Sequence, residues 1–342
     1  MIRTYRYRIK DSSAAPQLNK LARACNFVWN FCNESQEHAL RWNQRWPTGF
    51  ELSKLTAGCS KELGLHSQTV QAVCEQYETR RKQFKKRNLR WRGKRSPGWV
   101  PFKASGIKVI DDTVRYAGHT FRFWNSRELP GPIRCGSFSQ DSRKRWYVNF
   151  VVEAPETEAT AGTKQVGIDL GLKTLATCSD GRKIEAPRWY RNQQRRIAEH
   201  QRKKRSRQAR NLQAKIANRR KDFLHKESDR LTKECELIVV GDVRSAKLAK
   251  TNMAKSVNDA GWAMFKTLLS YKAIARKVVY REVSERLSTQ TCSGCGAIGG
   301  PKGREGLGIR EWVCGKCGAV HDRDVNAALN ILRMGHHTLA LK

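Results

Sequence analysis

The chain begins with apolar and basic residues in alternation. Tyr5, Tyr7 and Ile9 are separated by basic residues, and a period of two predicts a strand with one buried and one basic face. Short strand-like segments with turn signals between them follow over residues 105–155. They predict a small barrel or an antiparallel sheet, which the first strand can join.

Between these strands, apolar residues recur at helical spacing over residues 16–40 and again from about 67 to 87. The second helix runs into the stretch NLRWRGKRSPGW, in which Trp91 and Trp99 are interleaved with cations. Aromatic rings among cations suit base stacking combined with phosphate contact. The alternative is a solvated loop whose tryptophans pack on the core.

The pattern changes after residues 155–164, a polar stretch that predicts a linker. VGIDLG begins a pair of strands, and residues 188–232 predict long helices with few apolar positions. The buried-strand pattern of IVVGDV, a helix and the strand KVVYREVS follow. Alternating strands and helices predict an α/β core.

Charge changes this picture by indicating a partner. The 342 residues include 67 Lys and Arg against 31 Asp and Glu, for a net charge of +36. Such self-repulsion favours a polyanion, and nucleic acid is the expected one. Residues 188–221 contain fourteen basic residues and one acid. Since like charges four residues apart destabilise a helix, we expect these helices to face nucleic acid; a solvated helical face is the alternative.

The sequence also bears on cellular location. It has no run of 18 or more apolar residues, and its first ten residues lack the apolar segment of a signal peptide. Seven of the eleven cysteines are scattered without regular spacing. We therefore expect no membrane span and a reducing, cytoplasmic environment.

The remaining four cysteines form two CxxC pairs separated by eighteen residues: Cys292, Cys295, Cys314 and Cys317. This spacing predicts two knuckles that present four thiolates to one tetrahedral Zn²⁺. Two disulfides are the alternative, and a cytosolic location argues against them. Because all four ligands come from the protein, the site would be structural.

Candidate catalytic carboxylates lie in two further motifs. Asp169 stands inside the apolar strand GIDLG, where a charge is costly unless it is paired or binds a cation. Asp324 lies in HDRDVNAALNIL, whose small residues predict a helix that lies close to a sheet. As an alternative, Asp322 and Asp324 could cap that helix. Asp242, after the strand IVVG, is either a site residue or part of a turn.

Taken together, GIDLG, the strand near position 240, the paired CxxC motifs and DRDVNAA resemble the TnpB family of transposon-associated RNA-guided DNA endonucleases, related to type V CRISPR effectors. The resemblance covers nearly the whole chain. It implies an α/β RNase H-like (RuvC) core at 162–288 and 319–342, with an inserted zinc ribbon at 289–318. It also implies a wedge-like β-barrel at 1–12 and 100–155, with a helical recognition domain at 13–99.

The resemblance implies that Asp169 and Asp324 are catalytic. Most relatives end the strand near 240 with Glu followed by Asp, whereas this chain has Gly241 followed by Asp242. Asp242 could substitute, the nuclease could be inactive, or the acid could have moved to a neighbouring strand. We expect the third, with Glu282 as the relocated acid because it lies inside an apolar strand; Glu285 lies nearer a loop and is the weaker candidate.

The expected activity is cleavage of target DNA by metal-assisted phosphodiester hydrolysis, with two Mg²⁺ held by Asp169, Glu282 and Asp324. The resemblance implies as partners a guide RNA from the transposon end and duplex DNA with a short adjacent motif. It also implies a transposase encoded nearby and a nucleoid-associated location. The expected nucleic-acid contacts are Arg90, Trp91, Arg92, Arg95, Arg195, Arg196 and Arg205. A nuclease-inactive RNA-guided repressor is the alternative, and a DNA-joining transposase is a weaker third reading.

Overall fold

The computed structural model describes residues 1–10, 13–86, 88–155, 162–243, 248, 250–303 and 305–340. Most of the predicted linker, residues 156–161, lies outside these ranges. The chain divides into two compact units, Met1–Pro155 and Glu156–Lys342.

The first unit contains two antiparallel sheets. A four-stranded sheet has the order β1-β7-β6-β2, and a three-stranded sheet has the order β3-β4-β5. The strands are β1 (Ile2–Arg8), β2 (Trp99–Lys103), β3 (Ile107–Ile110), β4 (Thr113–Tyr116), β5 (His119–Arg122), β6 (Ile133–Gln140) and β7 (Trp146–Glu153). An isolated bridge between Ile9 and Phe123 connects the two sheets. The first strand pairs with β7, so its predicted membership of the antiparallel sheet is confirmed.

Four helices accompany these sheets: α1 (Ala14–Arg41), α2 (Gly49–Leu55), α3 (Ser60–Leu63) and α4 (Ser67–Phe84). The two long helices share a buried core with the sheets, because every third or fourth residue of α1 is apolar and buried. A buried hydrogen bond joins them, in which the Tyr77 hydroxyl donates to Asn33 Oδ1 over 2.8 Å.

The second unit is built on a five-stranded mixed sheet with the order β10-β9-β8-β11-β12. Its strands are β8 (Lys164–Leu170), β9 (Thr174–Cys178), β10 (Lys183–Glu185), β11 (Cys235–Gly241) and β12 (Val279–Val283). Strand β11 is parallel to both of its neighbours, β8 and β12, whereas β9 pairs antiparallel with both β8 and β10. The predicted α/β core is confirmed.

Helices cover both faces of this sheet. The helices α5 (Trp189–Arg202), α6 (Ser206–Glu234), α7 (Ala254–Ala260) and α8 (Trp262–Ala275) precede β12, and α9 (Arg323–Ala340) follows it. Successive side chains of β11 point to opposite faces of the sheet. Ile238 and Val240 share a core with α6 and α8, whereas Leu237 and Val239 pack with Ile331 of α9.

Helix α9 lies unusually close to the sheet, as its small residues predicted. Ala327 and Ala328 are fully buried. A side-chain carbon at Gly167 would stand 2.1 Å from the Ala328 carbonyl oxygen, and one at Gly335 would stand 2.3 Å from Val239. Glycine at these two positions therefore lets the backbone of α9 rest directly on β8 and β11.

Between β12 and α9 the chain forms the two CxxC turns, a 3₁₀ turn (Glu305–Gly308) and a hairpin of β13 (Glu311–Val313) and β14 (Val320–Asp322). Over the described residues, no helix is both long enough and apolar enough to span a bilayer.

Candidate active site and metal centre

Asp169 lies near the carboxyl end of β8. Ile168 pairs with Val240 of the parallel strand β11, so the next positions, Asp169 and Gly241, stand side by side at the strand ends. Side chains two apart in a strand share a face. Asp169 therefore shares the face of Gly167, which is the face that α9 covers.

Glu285 fills the space that Gly241 leaves open. A side-chain carbon at Gly241 would lie 3.1 Å from Glu285 Oε2 and 3.4 Å from Glu285 Cβ. The Glu285 carboxylate thus stands directly over the strand end, beside Asp169. It reaches this point because Glu285 lies two residues beyond β12, where the chain turns back over the sheet edge.

Asp242 holds the backbone that carries Glu285. The Asp242 amide donates to the Val283 carbonyl oxygen over 2.8 Å, and Asp242 Oδ1 accepts from the Glu285 amide at 3.3 Å. Asp242 therefore anchors the turn after β12 through both its backbone and its side chain.

Asp324 lies in the first turn of α9 and is half-buried. Arg310 donates from Nη1 to both of its carboxylate oxygens, at 3.2 and 3.0 Å. Capping of α9 falls instead to Asp322, whose Oδ1 accepts from the amides of Asp324 and Val325 at 3.0 Å each. The helix-cap alternative thus holds for Asp322, and the Asp324 carboxylate is left to other partners.

The charges of these groups act on Asp169. Burial, together with the negative charges of Asp324 and Glu285, raises the pKa of Asp169 to about 7, against a smaller effect of Arg323. Burial, followed by the charge of Asp242, also raises the pKa of Glu285, while Lys266 opposes the rise. Asp169, Glu285 and Asp324 therefore form one cluster of interacting acids, which a cation would stabilise.

Glu282, the acid expected to have moved, is not brought to this cluster. It pairs in register with Val240, whose side chain faces α8. Lys266 of α8 binds its Oε2 at 2.7 Å, and the Tyr280 hydroxyl donates to Oε1 at 2.9 Å. The sequence-based choice of Glu282 is corrected on this ground: Glu282 is in register with Val240, on the face opposite to the one that Asp169 shares with Gly167.

The four cysteines converge on one point. Their sulfur atoms all lie within 4.8 Å of one another, and the pairs Cys292–Cys317 and Cys295–Cys314 are each 3.7 Å apart. A tetrahedron with Zn–S bonds of about 2.3 Å has edges of about 3.8 Å. Backbone amides of Cys317 and Lys316 lower the pKa of Cys314 to about 6, which favours the thiolate. The donor set and its spacing fit a single Zn²⁺.

Further side chains, which sequence reasoning missed, attach this cluster to its surroundings. His321 Nε2 lies 3.0 Å from Cys292 Sγ. The buried Asn326 and Asn330 of α9 donate to the carbonyl oxygens of Ser288 and Thr291, over 2.7 to 3.3 Å. The two asparagines, one helical turn apart in NAALN, fix the start of the ribbon to the helix that carries Asp324.

Most predicted nucleic-acid contacts lie at the surface. Arg90, Trp91, Arg95, Arg195, Arg196 and Arg205 are all exposed. Arg92 is different, because its guanidinium binds Asn26 Oδ1 at 2.7 Å and the Pro97 carbonyl oxygen at 2.9 Å and lies over the rings of Trp29 and Trp99. Arg92 therefore fixes its own loop in the chain without nucleic acid, and its contact with a phosphate stays a prediction.

These features define a class: an α/β protein with acids at parallel strand ends and a four-cysteine ribbon ahead of its last helix. The fold resembles that of the chain in "Cryo-EM structure of the Cas12f1-sgRNA-target DNA complex", with a TM-score of 0.62 and 13% identity over 94% of this chain and 83% of that one. Residues 149–252 match the family model described as "Probable transposase" (OrfB_IS605), and residues 262–331 match "Cas12f1-like, TNB domain".

Two curated relatives have "RNA-guided DNA endonuclease" in their names. One, from Streptomyces pristinaespiralis, is 39% identical over 58% of this chain and 52% of its own length. The other, InsQ of Escherichia coli (strain K12), is 26% identical over 95% of this chain and 90% of its own length. The chain thus spans about half the length of the first relative. With the "TnpB-like protein L770" of Acanthamoeba polyphaga mimivirus, 25% identical over 69% of this chain, these matches confirm the predicted resemblance to the TnpB family.

Proposed function

We propose that the chain is an RNA-guided DNA endonuclease of TnpB type. The observation that carries the proposal is the position of Asp169 at the carboxyl end of β8, with Glu285 and Asp324 close enough for their charges to raise the pKa of its carboxyl, in a fold like that of Cas12f1. The family matches and the names of the relatives support the same activity.

In this proposal Glu285 is the third catalytic carboxylate. The family resemblance implies a glutamate on the strand itself; this chain has Gly241 there, and Glu285 Oε2 lies 3.1 Å from the place of a side-chain carbon at Gly241. The acid is supplied from the turn after β12 rather than from β11. Asp242 acts as a positioning residue, because it holds the Glu285 amide.

The cluster fits divalent metal ions of the Mg²⁺ type, since carboxylates are the ligands that Mg²⁺ prefers. Asp169, Glu285 and Asp324 would hold the ions, which when bound would activate water and stabilise the leaving oxygen. Asp169 must lose its proton before its carboxylate can bind these cations. Arg310 neutralises Asp324 in the metal-free chain, and the cation and Arg310 therefore compete for the same oxygens.

The cysteine cluster completes the proposal as a structural Zn²⁺ site in a ribbon spanning about 289–318. One zinc ion per chain is expected, and a chain that folds and cleaves with none would contradict this assignment. We further propose that the second unit is RNase H-like, and that the first unit combines a wedge-like barrel (1–12 and 100–155) with a helical recognition part (13–99).

The guide RNA and the DNA target are proposed partners. The Cas12f1 chain was solved with an sgRNA and target DNA, and the net charge of +36 suits two polyanions. Base pairing with the guide would supply sequence specificity, and the protein would read duplex shape and a short adjacent motif. An origin of the guide at the transposon end, a nearby transposase and a cytoplasmic, nucleoid-associated location stay predictions from the family resemblance.

Cleavage by matched variants tests the proposal. The chain is co-expressed with its flanking DNA, purified with the RNA that it retains, and given Mg²⁺ and plasmids carrying the matching target beside randomised bases. We expect cleavage by the parent and by Glu282→Gln. Glu285→Gln should lose at least about a hundredfold in rate, since a ligand of the reacting centre is removed.

If Glu282→Gln lost cleavage activity and Glu285→Gln kept it, Glu282 would be the third catalytic carboxylate. Binding of the target without nicking by the parent would support the repressor alternative instead. A double variant distinguishes the loss of a catalytic acid from misfolding. Gly241→Glu combined with Glu285→Ala supplies an acid from the strand. We expect it to recover part of the activity that Glu285→Ala loses.

A further inference from the structure

A cavity of about 550 Å³ opens beside the loop that joins α4 to β2 in the first unit. Aromatic rings of Trp29, Phe84 and Trp91 contribute to its wall. Trp91 is 48% exposed and Phe84 is 55% exposed. Two large exposed rings at one cavity leave apolar surface in water, which a flat apolar ligand would cover.

Side chains of α1 hold the backbone of residues 89–92 in place through hydrogen bonds. Asn33 donates to the Leu89 carbonyl oxygen at 2.9 Å, and the Trp29 indole donates to that of Arg90 at 3.2 Å. Asn30 pairs with both backbone groups of Arg92, at 2.8 Å each. Since the backbone on both sides is fixed and Leu89 is buried, Trp91 is presented at the surface by a preorganised loop.

The rim of the cavity is cationic. Arg80, Lys86, Arg90 and Arg95 line it, and its lining includes no acidic residue. Within the described parts of the chain, none of these four cations has a carboxylate within ion-pair distance; Arg80 donates to Gln83 instead. Unneutralised cations around exposed rings are the arrangement by which proteins bind single strands, with bases stacked on rings and phosphates against the cations.

We propose that this cavity binds an unpaired nucleotide of the guide RNA, with its base stacked on Trp91 and its phosphates facing the rim. The inference rests on the proposed function for the identity of the strand. RNA offers splayed, unpaired bases in loops and bulges before any DNA has been opened, whereas the bases of duplex DNA stay stacked. The volume of about 550 Å³ accommodates a nucleotide, since small-ligand cavities begin at roughly 300 Å³.

Binding of short oligonucleotides to the full chain tests the proposal. The probes are the single strands rU12 and dU12 and a twelve-base-pair RNA duplex, measured by fluorescence anisotropy at one salt concentration. We expect Trp91→Ala to weaken rU12 binding by at least about fivefold. Trp91→Phe should retain most of the affinity because the ring can still stack, and duplex binding should not change.

Trp42→Ala is the matched control, because Trp42 is 64% exposed and lies outside the cavity. A loss with Trp91→Ala no larger than with Trp42→Ala, a loss confined to dU12, or an equal loss on the duplex would each overturn the proposal. The test does not require cleavage. A chain that shows the Trp91 effect but never cuts DNA would refute the proposed function alone.

Discussion

Among the proposed catalytic residues, Asp169 has a carboxyl pKa raised far above its ordinary value. Burial, together with the charges of Asp324 and Glu285, raises the pKa of its carboxyl to about 7. Between the ordinary value of about 3.9 and this value, the folded metal-free chain binds a proton that the unfolded chain has released. Stability therefore falls as pH rises through that window, and the cost is fully present above about pH 7.

This pH dependence predicts the stability of the Asp169→Asn variant in the presence of a metal chelator. The variant should be more stable than the parent, by a difference that grows from about pH 4 and levels off above pH 7, on the order of 3 kcal/mol. Urea unfolding across this range measures it. Asp222→Asn, at an exposed residue paired with Lys226, is the control expected to show no such trend. A difference that is independent of pH would contradict the pKa assigned to Asp169.

The carboxylates also show how far sequence reasoning reached at this scale. Asp169 and Asp324 can be proposed from the sequence, because a charge inside an apolar strand and a family motif are both visible along the chain. Glu285 was rated below Glu282 because strand patterning favours a residue inside the strand over one in a turn. The choice between them depended on which face each side chain takes and on the turn that Asp242 anchors, and neither follows from local pattern.

At the scale of elements, the position of α9 determines where Asp324 stands. Gly167→Ala would place a carbon 2.1 Å from the Ala328 carbonyl oxygen and 2.7 Å from the Leu332 amide nitrogen. Both are backbone atoms, so the helix itself must move. We expect cleavage to slow by about tenfold to a hundredfold, because small displacements of reacting groups are costly, with a loss of stability of about 1–3 kcal/mol.

Gly299→Ala is the control for this change, since a carbon there meets nothing within 4 Å. Nicking rates, melting temperatures and zinc content distinguish the two variants. Zinc content should be unchanged in both, because the four cysteines lie outside the contact of α9 with β8. If Gly167→Ala cleaves as fast as the parent, the position of Asp324 does not depend on this close approach.

The elements themselves were largely predictable, for identifiable reasons. The alternation in Tyr5–Ile9, the small residues of NAALN and the CxxC spacing each correspond directly to a contact in the structure. The pairing of β12 with β11, and the attachment of the ribbon to α9 through Asn326 and Asn330, join residues far apart in the sequence. A single sequence carries no periodic signal for such contacts.

At the scale of the whole molecule, the helical pair α5 and α6 of the second unit concentrates basic residues, with fourteen Lys and Arg over residues 188–221. Ile197 is the buried residue of α5, and Ala209 and Ile216 are buried in the first half of α6. Arg195, Arg196 and Arg205 are exposed and have no carboxylate within ion-pair distance among the described residues. Farther along α6, Lys226, Arg230 and Lys233 each pair with an acid on the same helix.

This contrast allows two triple variants with the same change in net charge. If the unpaired arginines contact phosphates, replacing Arg195, Arg196 and Arg205 by Gln should weaken nucleic-acid binding and lower the slope of log K against log salt by about 2–3. Replacing Lys226, Arg230 and Lys233 by Gln should change the slope by less than about 1, because these cations are already neutralised. Anisotropy with a 30-base-pair DNA and with rU12, between about 50 and 200 mM KCl, gives both slopes. Equal slopes for the two variants would mean that the helical pair acts only through the net charge of the molecule, and that its arginines do not contact the backbone of either strand.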